Sequence, residues 1–123
     1  MGLKASNDEE RIARVVHVAL SAFVQSLGET GFPDWDAAPD WMRAATLDGV
    51  RARLAEPGAP ASRQHEIWTA QKLADGWRHG PVKDAERREH PSLVPYGQLT
   101  EVEKRKDALF AAIVDALNPA STP

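Results

Sequence analysis

The fold turns on one stretch, Gly76-Trp77-Arg78-His79-Gly80-Pro81-Val82-Lys83-Asp84 running on to His90-Pro91-Ser92-Leu93-Val94-Pro95-Tyr96. Residues 76–98 hold three prolines and three glycines and show no sustained helical period. Proline has no N–H for a ladder, so a long strand is excluded as well. Trp77-Arg78-His79 and Leu93-Val94 are the expected short strands. Outside this stretch four segments read as helix. The expected class is therefore mostly α, with four helices, the first and last longest, and short β segments in a Pro/Gly-rich loop region.

Downstream, Thr100 and Glu103 form a capping box, Thr-x-x-Glu. The helix behind it carries a stripe of Val102, Leu109, Phe110, Ile113 and Leu117. Upstream, Ser62 is expected to cap a helix from Arg63 to about Asp75, stopped by Gly76. Its apolar stripe is thin, and His65, Trp68 and Lys72 share one face. Glu56-Pro57-Gly58-Ala59-Pro60 is a break. Before it, a helix opened by Pro39 runs to about Ala55, with Leu47, Val50 and Leu54 inward and Gly49 weakening it. The connector 29–38 contains Trp35. The first helix spans about Asp8 to Leu27, with Ile12, Val15, Val16, Ala19, Phe23 and Leu27 on one face. Asn7 or Ser6 caps it, Asp8, Glu9 and Glu10 suit its positive end, and Gly28 ends it. The first and last helices are expected to pack on each other, with the irregular segment pinned onto them.

At 123 residues the chain is expected to form a single domain over 1–123, with its core at about 8–117 and a frayed tail at 118–123. Fifteen Lys and Arg against 18 Asp and Glu give a net charge of −3, which argues against a general nucleic-acid binder. Cysteine is absent, which excludes disulfides, thiolate metal sites and a thiol nucleophile. No apolar run reaches the roughly 18 residues of a membrane helix. The first ten residues lack a signal-peptide core, so a cytoplasmic location is expected. Met1-Gly2-x-x-x-Ser6 matches a myristoylation pattern, and a chance match is the expectation. Trp supplies four of the eight aromatic residues.

Catalytic and metal signatures fail one by one. His65-Glu66-Ile67-Trp68-Thr69 begins like a helical zinc motif, but Thr69 stands where the second His is needed. The expectation for His65 is a surface or hydrogen-bonded side chain. Gly76 to Gly80 followed by Lys83 is no P-loop, because Pro81 removes an amide and Lys-Ser/Thr is missing. No serine carries a nucleophile-elbow pattern. Neither an enzyme, a metal nor a cofactor is expected. Arg78, Lys83, Arg87 and Arg88 lie among Asp84, Glu86 and Glu89, a mixture that suits either a solvated turn or a small pocket for one anionic group.

His65-Glu66-Ile67-Trp68, Lys72, Gly76-Trp77-Arg78-His79-Gly80, Lys83-Asp84 and His90-Pro91-Ser92-Leu93-Val94-Pro95-Tyr96 together resemble the ryanodine-receptor repeat domain, the RyR domain. Flanking support comes from Ile12 to Leu20, Trp35, Pro39 and the closing Lys104-x-x-Asp107. His79 departs from the family pattern, which has Tyr there. The resemblance implies a mostly helical module of the free-standing, single-domain bacterial or phage type, without known catalysis. It also implies binding of a nucleotide or nucleotide-derived molecule, such as an adenine nucleotide or a cyclic ADP-ribose-like compound. The tandem pairing of such repeats in the channels suggests homodimerisation as the alternative function.

Within that frame Trp77, Trp35 or Trp68 is a candidate for stacking a base. Lys72, Arg78, Lys83 and Arg88 are candidates for phosphate, and Asp84 or Glu66 for ribose. His79, His90 and Tyr96 complete the candidate ligand-binding set. For Trp68 and Trp77 a purely structural role in the core is the competing expectation.

Overall fold

The computed structural model describes residues 7–121. It contains four helices, α1 (Asn7–Ser26), α2 (Asp40–Ala55), α3 (Ala61–Ala74) and α4 (Glu101–Leu117), and two short strands, β1 (Arg78–His79) and β2 (Glu89–His90). The class is mostly α with short β segments, as the sequence predicts. Among the described residues no helix is long and apolar enough to cross a membrane. Ser6, and with it the myristoylation pattern, lies outside the described residues.

The chain divides into two compact units, Met1–Ala59 with Leu109–Pro123, and Pro60–Ala108. In the first, Ile12, Ala13, Val16, Trp35, Val50 and Val114 form the core, with Leu47, Leu54, Phe110, Ile113 and Leu117 against it. The inward positions expected on α2 are therefore correct. On α1 the expected stripe is rotated: Val15 and Leu27 are 38% and 46% exposed, while His17, Ser21 and Val24 are buried. The polar pair belongs inside because the connector supplies partners. The His17 ring nitrogen Nε2 lies 2.6 Å from the Pro33 carbonyl oxygen, and the Ser21 hydroxyl accepts the Phe32 N–H at 2.8 Å. α1 packs most extensively on α2. The C-terminal half of α4 joins the same core through Val114.

Asp115 and Arg53 close this unit on its polar side. The buried Arg53 guanidinium donates to both Asp115 carboxylate oxygens, at 2.9 and 2.7 Å. The Gly58 N–H adds a third donor at 3.3 Å. Arg53 holds the Asp115 carboxyl below its ordinary range through this hydrogen bonding and its charge. Of the expected tail, residues 118–121 are described. Asn118 is buried, and its side-chain oxygen accepts the Ala120 N–H at 2.9 Å, shaping a 3₁₀ turn over Pro119–Ser121.

The second unit is built on α3. This helix begins one residue after Pro60 and makes no side-chain cap, so Ser62 lies inside it rather than capping it. Its other end follows the predicted glycine stop. Gly76 has φ +85°, its N–H reaches the Leu73 carbonyl at 3.0 Å, and the Trp77 N–H reaches the Lys72 carbonyl at 2.9 Å. These two bonds are the Schellman pattern, which needs a left-handed residue at the position after the cap. The chain then enters β1, which pairs in parallel with β2, Arg78 opposite Glu89 and His79 opposite His90.

Leu93-Val94 is not the partner strand. Pro91 and Pro95 flank it and cannot donate to a ladder. The Val94 carbonyl is instead used by a side chain of α3. Gly80 ends β1 where Glu89 crosses closely; a Cβ there would sit 2.5 Å from that of Glu89. Within this unit the irregular segment is organised on α3 and on the first turns of α4. The Glu103 N–H reaches the Thr100 hydroxyl at 3.2 Å, the predicted N-terminal cap of α4.

Candidate functional site

One turn of α3 separates His65 from Trp68, so their rings stack, with centres 5.5 Å apart and planes 24° apart. His65 is only 5% exposed, and its Nε2–H donates to the Val94 carbonyl at 2.7 Å. A carbonyl only accepts, which assigns the proton to Nε2. The hydrogen-bonded role expected for this histidine is the one it has. It ties α3 to the segment between Pro91 and Pro95.

Further rings extend the stack in both directions. Tyr96 lies 6.3 Å from His65 on one side. On the other, His90 meets Trp68 edge-on at 5.0 Å and 77°, and Trp77 lies 6.3 Å beyond His90. The order Tyr96, His65, Trp68, His90, Trp77 is continuous. A lysine caps each end: the Lys104 ammonium is 5.6 Å from the Tyr96 ring centre, and that of Lys72 is 4.5 Å from Trp77. The Lys72–Trp77 pair follows from the helix terminus, because the Schellman turn brings the residue after Gly76 back over the last helical turn.

The charges around Trp77 are unevenly matched. Burial pushes the Lys72 ammonium toward its neutral form, Lys83 adds like-charge repulsion, and Asp75 partly offsets both. His90 is lowered by burial first and then by Lys83; Lys72 and Lys106 act in the same sense, and Glu103 opposes them. Lys106 is paired with Glu103 at 2.9 Å. Among the described residues, neither Lys72 nor Lys83 forms an ion pair. His90 Nδ1 accepts the Ser92 N–H at 3.0 Å, so in its neutral form the ring carries its proton on Nε2.

Beside Trp77 opens a shallow concavity of about 560 Å³, lined by Ala74, Asp75, Gly76, Trp77 and Arg88. Arg88 is held in place there. Its Nη1 donates to the Asp75 carbonyl at 2.8 Å, covering an orphan acceptor at the end of α3. Its backbone has φ 54°, a left-handed conformation uncommon for a residue with a Cβ.

The structure thus brings Lys72, Trp77, His90 and Tyr96 onto one aromatic framework, with Lys83 within electrostatic reach. The other sequence candidates have separate places. His79 is exposed on β1. Arg78 is exposed and pairs with Glu89 at 3.2 Å. Asp84 shapes its own turn, its carboxylate accepting the Glu86 and Arg87 N–H groups at 3.0 and 3.2 Å. Glu66 pairs with Arg63 at 3.2 Å. Trp35 is a core residue of the other unit, edge-on to His17 at 5.5 Å. Glu103, Lys106 and Asp107 were not singled out from the sequence as site residues. Their shared signal is the i, i+3, i+4 spacing on α4, which places them on one face without saying what that face meets.

An aromatic row with a lysine at each end, set on a short helix and a clipped loop, marks the candidate site of a mostly helical module. Residues 45–116, more than half of the chain, match the family model for the RyR domain, and the chain belongs to that family.

Proposed function

We propose that residues 60–108 form a non-catalytic binding module for an anionic small molecule of the nucleotide type. The supporting observation is the Lys72 ammonium, 4.5 Å over Trp77 and driven toward neutrality by burial and by Lys83. A half-buried cation facing another cation is an unfavourable arrangement that an arriving phosphate relieves. The phosphate draws Lys72 off the indole toward Lys83, and the uncovered Trp77 face takes the base. Such stacking contributes roughly 1–3 kcal/mol. The concavity beside Trp77 has room for the remaining parts of the ligand. The absence of cysteine suits the reducing cytoplasm.

The test is a thermal-shift and calorimetric panel of adenine nucleotides and cyclic nucleotides. A ligand at 100 times its Kd adds roughly 2.7 kcal/mol of stability. Lys72→Ala and Lys83→Ala are expected to weaken binding and Trp77→Ala to remove the stacking contribution. Flat curves across the panel overturn the proposal.

A second reading, self-association without a small molecule, is favoured by Trp41, which is 60% exposed on α2. Tryptophan is a preferred interface anchor. Sedimentation at several concentrations tests it, and a monomer throughout would exclude it.

A further inference from the structure

We infer that anion binding beside Trp77 is coupled to proton uptake by His90, so that the module holds its ligand more tightly as the pH falls. Coupling rests on the anion-binding reading above and adds the titrating residue to it.

The geometry is a cluster. His90 sits in the aromatic row between Trp68 and Trp77, with no freedom to leave without breaking the edge contact at 5.0 Å. The charged groups that face it come from three elements: Lys72 from α3, Lys83 from the loop after β1, and Glu103 with Lys106 from α4. Lys106 is already neutralised by Glu103 at 2.9 Å. What remains is the repulsion from Lys72 and Lys83.

Three features oppose an imidazolium in the free protein. Burial comes first, and that repulsion second. The third is the Ser92 N–H, which donates to Nδ1 at 3.0 Å and requires a lone pair there. An anion placed between Lys72 and Lys83 cancels the repulsion and supplies an acceptor for the charged ring. His90 then gains a proton on binding, with one proton taken up per ligand at most. By linkage, affinity falls with rising pH between the free and bound titration midpoints, by up to about tenfold per pH unit.

Sulfate is a suitable probe because it stays divalent throughout the range and brings no titration of its own. The His90 ring resonance is followed by NMR from pH 5 to 8 in sodium sulfate and in sodium chloride of equal ionic strength, with exposed His79 as internal reference. An upward displacement of the His90 midpoint in sulfate, absent in Lys72→Ala/Lys83→Ala, is the expected result. Perturbation of Lys72 and Lys83 by sulfate with an unmoved His90 midpoint overturns the coupling and leaves anion binding standing. No sulfate effect on any of the three overturns both. His90→Asn, whose side-chain oxygen can still accept the Ser92 N–H, is expected to bind sulfate with a flat pH profile. A retained slope in that variant would also overturn the coupling.

Discussion

The Lys72 ammonium lies 4.5 Å from the Trp77 ring centre, and one glycine is responsible for both positions. Gly76 turns the chain at φ +85°, so that the Trp77 N–H returns to the Lys72 carbonyl at 2.9 Å. A side chain at position 76 is doubly disfavoured. The backbone is left-handed, and a Cβ would meet Arg88 Nη1 at 3.3 Å. Gly76→Ala is expected to cost about 1 kcal/mol or somewhat more. Thermal denaturation reads the loss, and a red-shifted Trp emission reads the loosening of Trp77. An unchanged melting temperature would contradict the role given to this turn.

Arg88 binds the same terminus and has φ 54°. Two effects of substitution can be separated there. Arg88→Ala removes the 2.8 Å bond to the Asp75 carbonyl and keeps the backbone cost. Arg88→Gly removes the bond and relieves the cost. The glycine variant is expected to be more stable than the alanine variant by about 1 kcal/mol. Urea denaturation of the two variants side by side measures the difference.

In the other unit, Asp115→Ala leaves the Arg53 guanidinium buried without its carboxylate. Among the described residues, one of its nitrogens, Nη1, has no hydrogen-bond partner. Breaking one side of such a pair costs about 3–5 kcal/mol, and the lower end applies here because the Asp115 side chain is 32% exposed. Arg53→Met, which removes the charge and keeps much of the volume, is expected to cost less. Equal losses in the two variants would mean that the stranded charge is not the cause. The Asp115 carboxyl is held below its ordinary range, so this pair's contribution is present above about pH 4 and fades as the pH falls through the lowered midpoint.

Asp107 has the opposite sign. Burial, with a smaller contribution from Glu103, raises its carboxyl to about 6 from an ordinary 3.8, against the lowering influence of His65 and Lys106. The native state therefore holds this proton more tightly than the unfolded chain. Its stabilising effect is complete below pH 3.8 and is lost as the pH rises through about 6. Asp107→Asn is expected to stabilise the protein at pH 7–8 by about 1–2 kcal/mol, the partial exposure of the group limiting the gain. Its stability curve should also be flatter than that of the natural protein between pH 4 and 6. A variant less stable at pH 8 would show that the carboxylate has a favourable partner.

What the sequence determined by itself is what neighbouring residues settle between them. The extents of α1 and α2, the glycine stop of α3 and the Thr100 cap of α4 follow from periodicity and from backbone groups a few positions apart. The sequence also marks the loop as non-helical, because prolines cannot be argued out of their missing N–H groups. The tertiary structure alone decided which residues meet. His65 reaches the Val94 carbonyl across 29 positions, and this contact takes from Leu93-Val94 the strand role that propensity assigned it. Glu103 and Lys106 face His90 because of how α4 lies against the loop, and Trp35 belongs to a core rather than to the lysine cluster for the same kind of reason. Local torsions and caps are written into short stretches of chain. A binding site is an encounter between distant side chains, and only the path of the chain in space determines it.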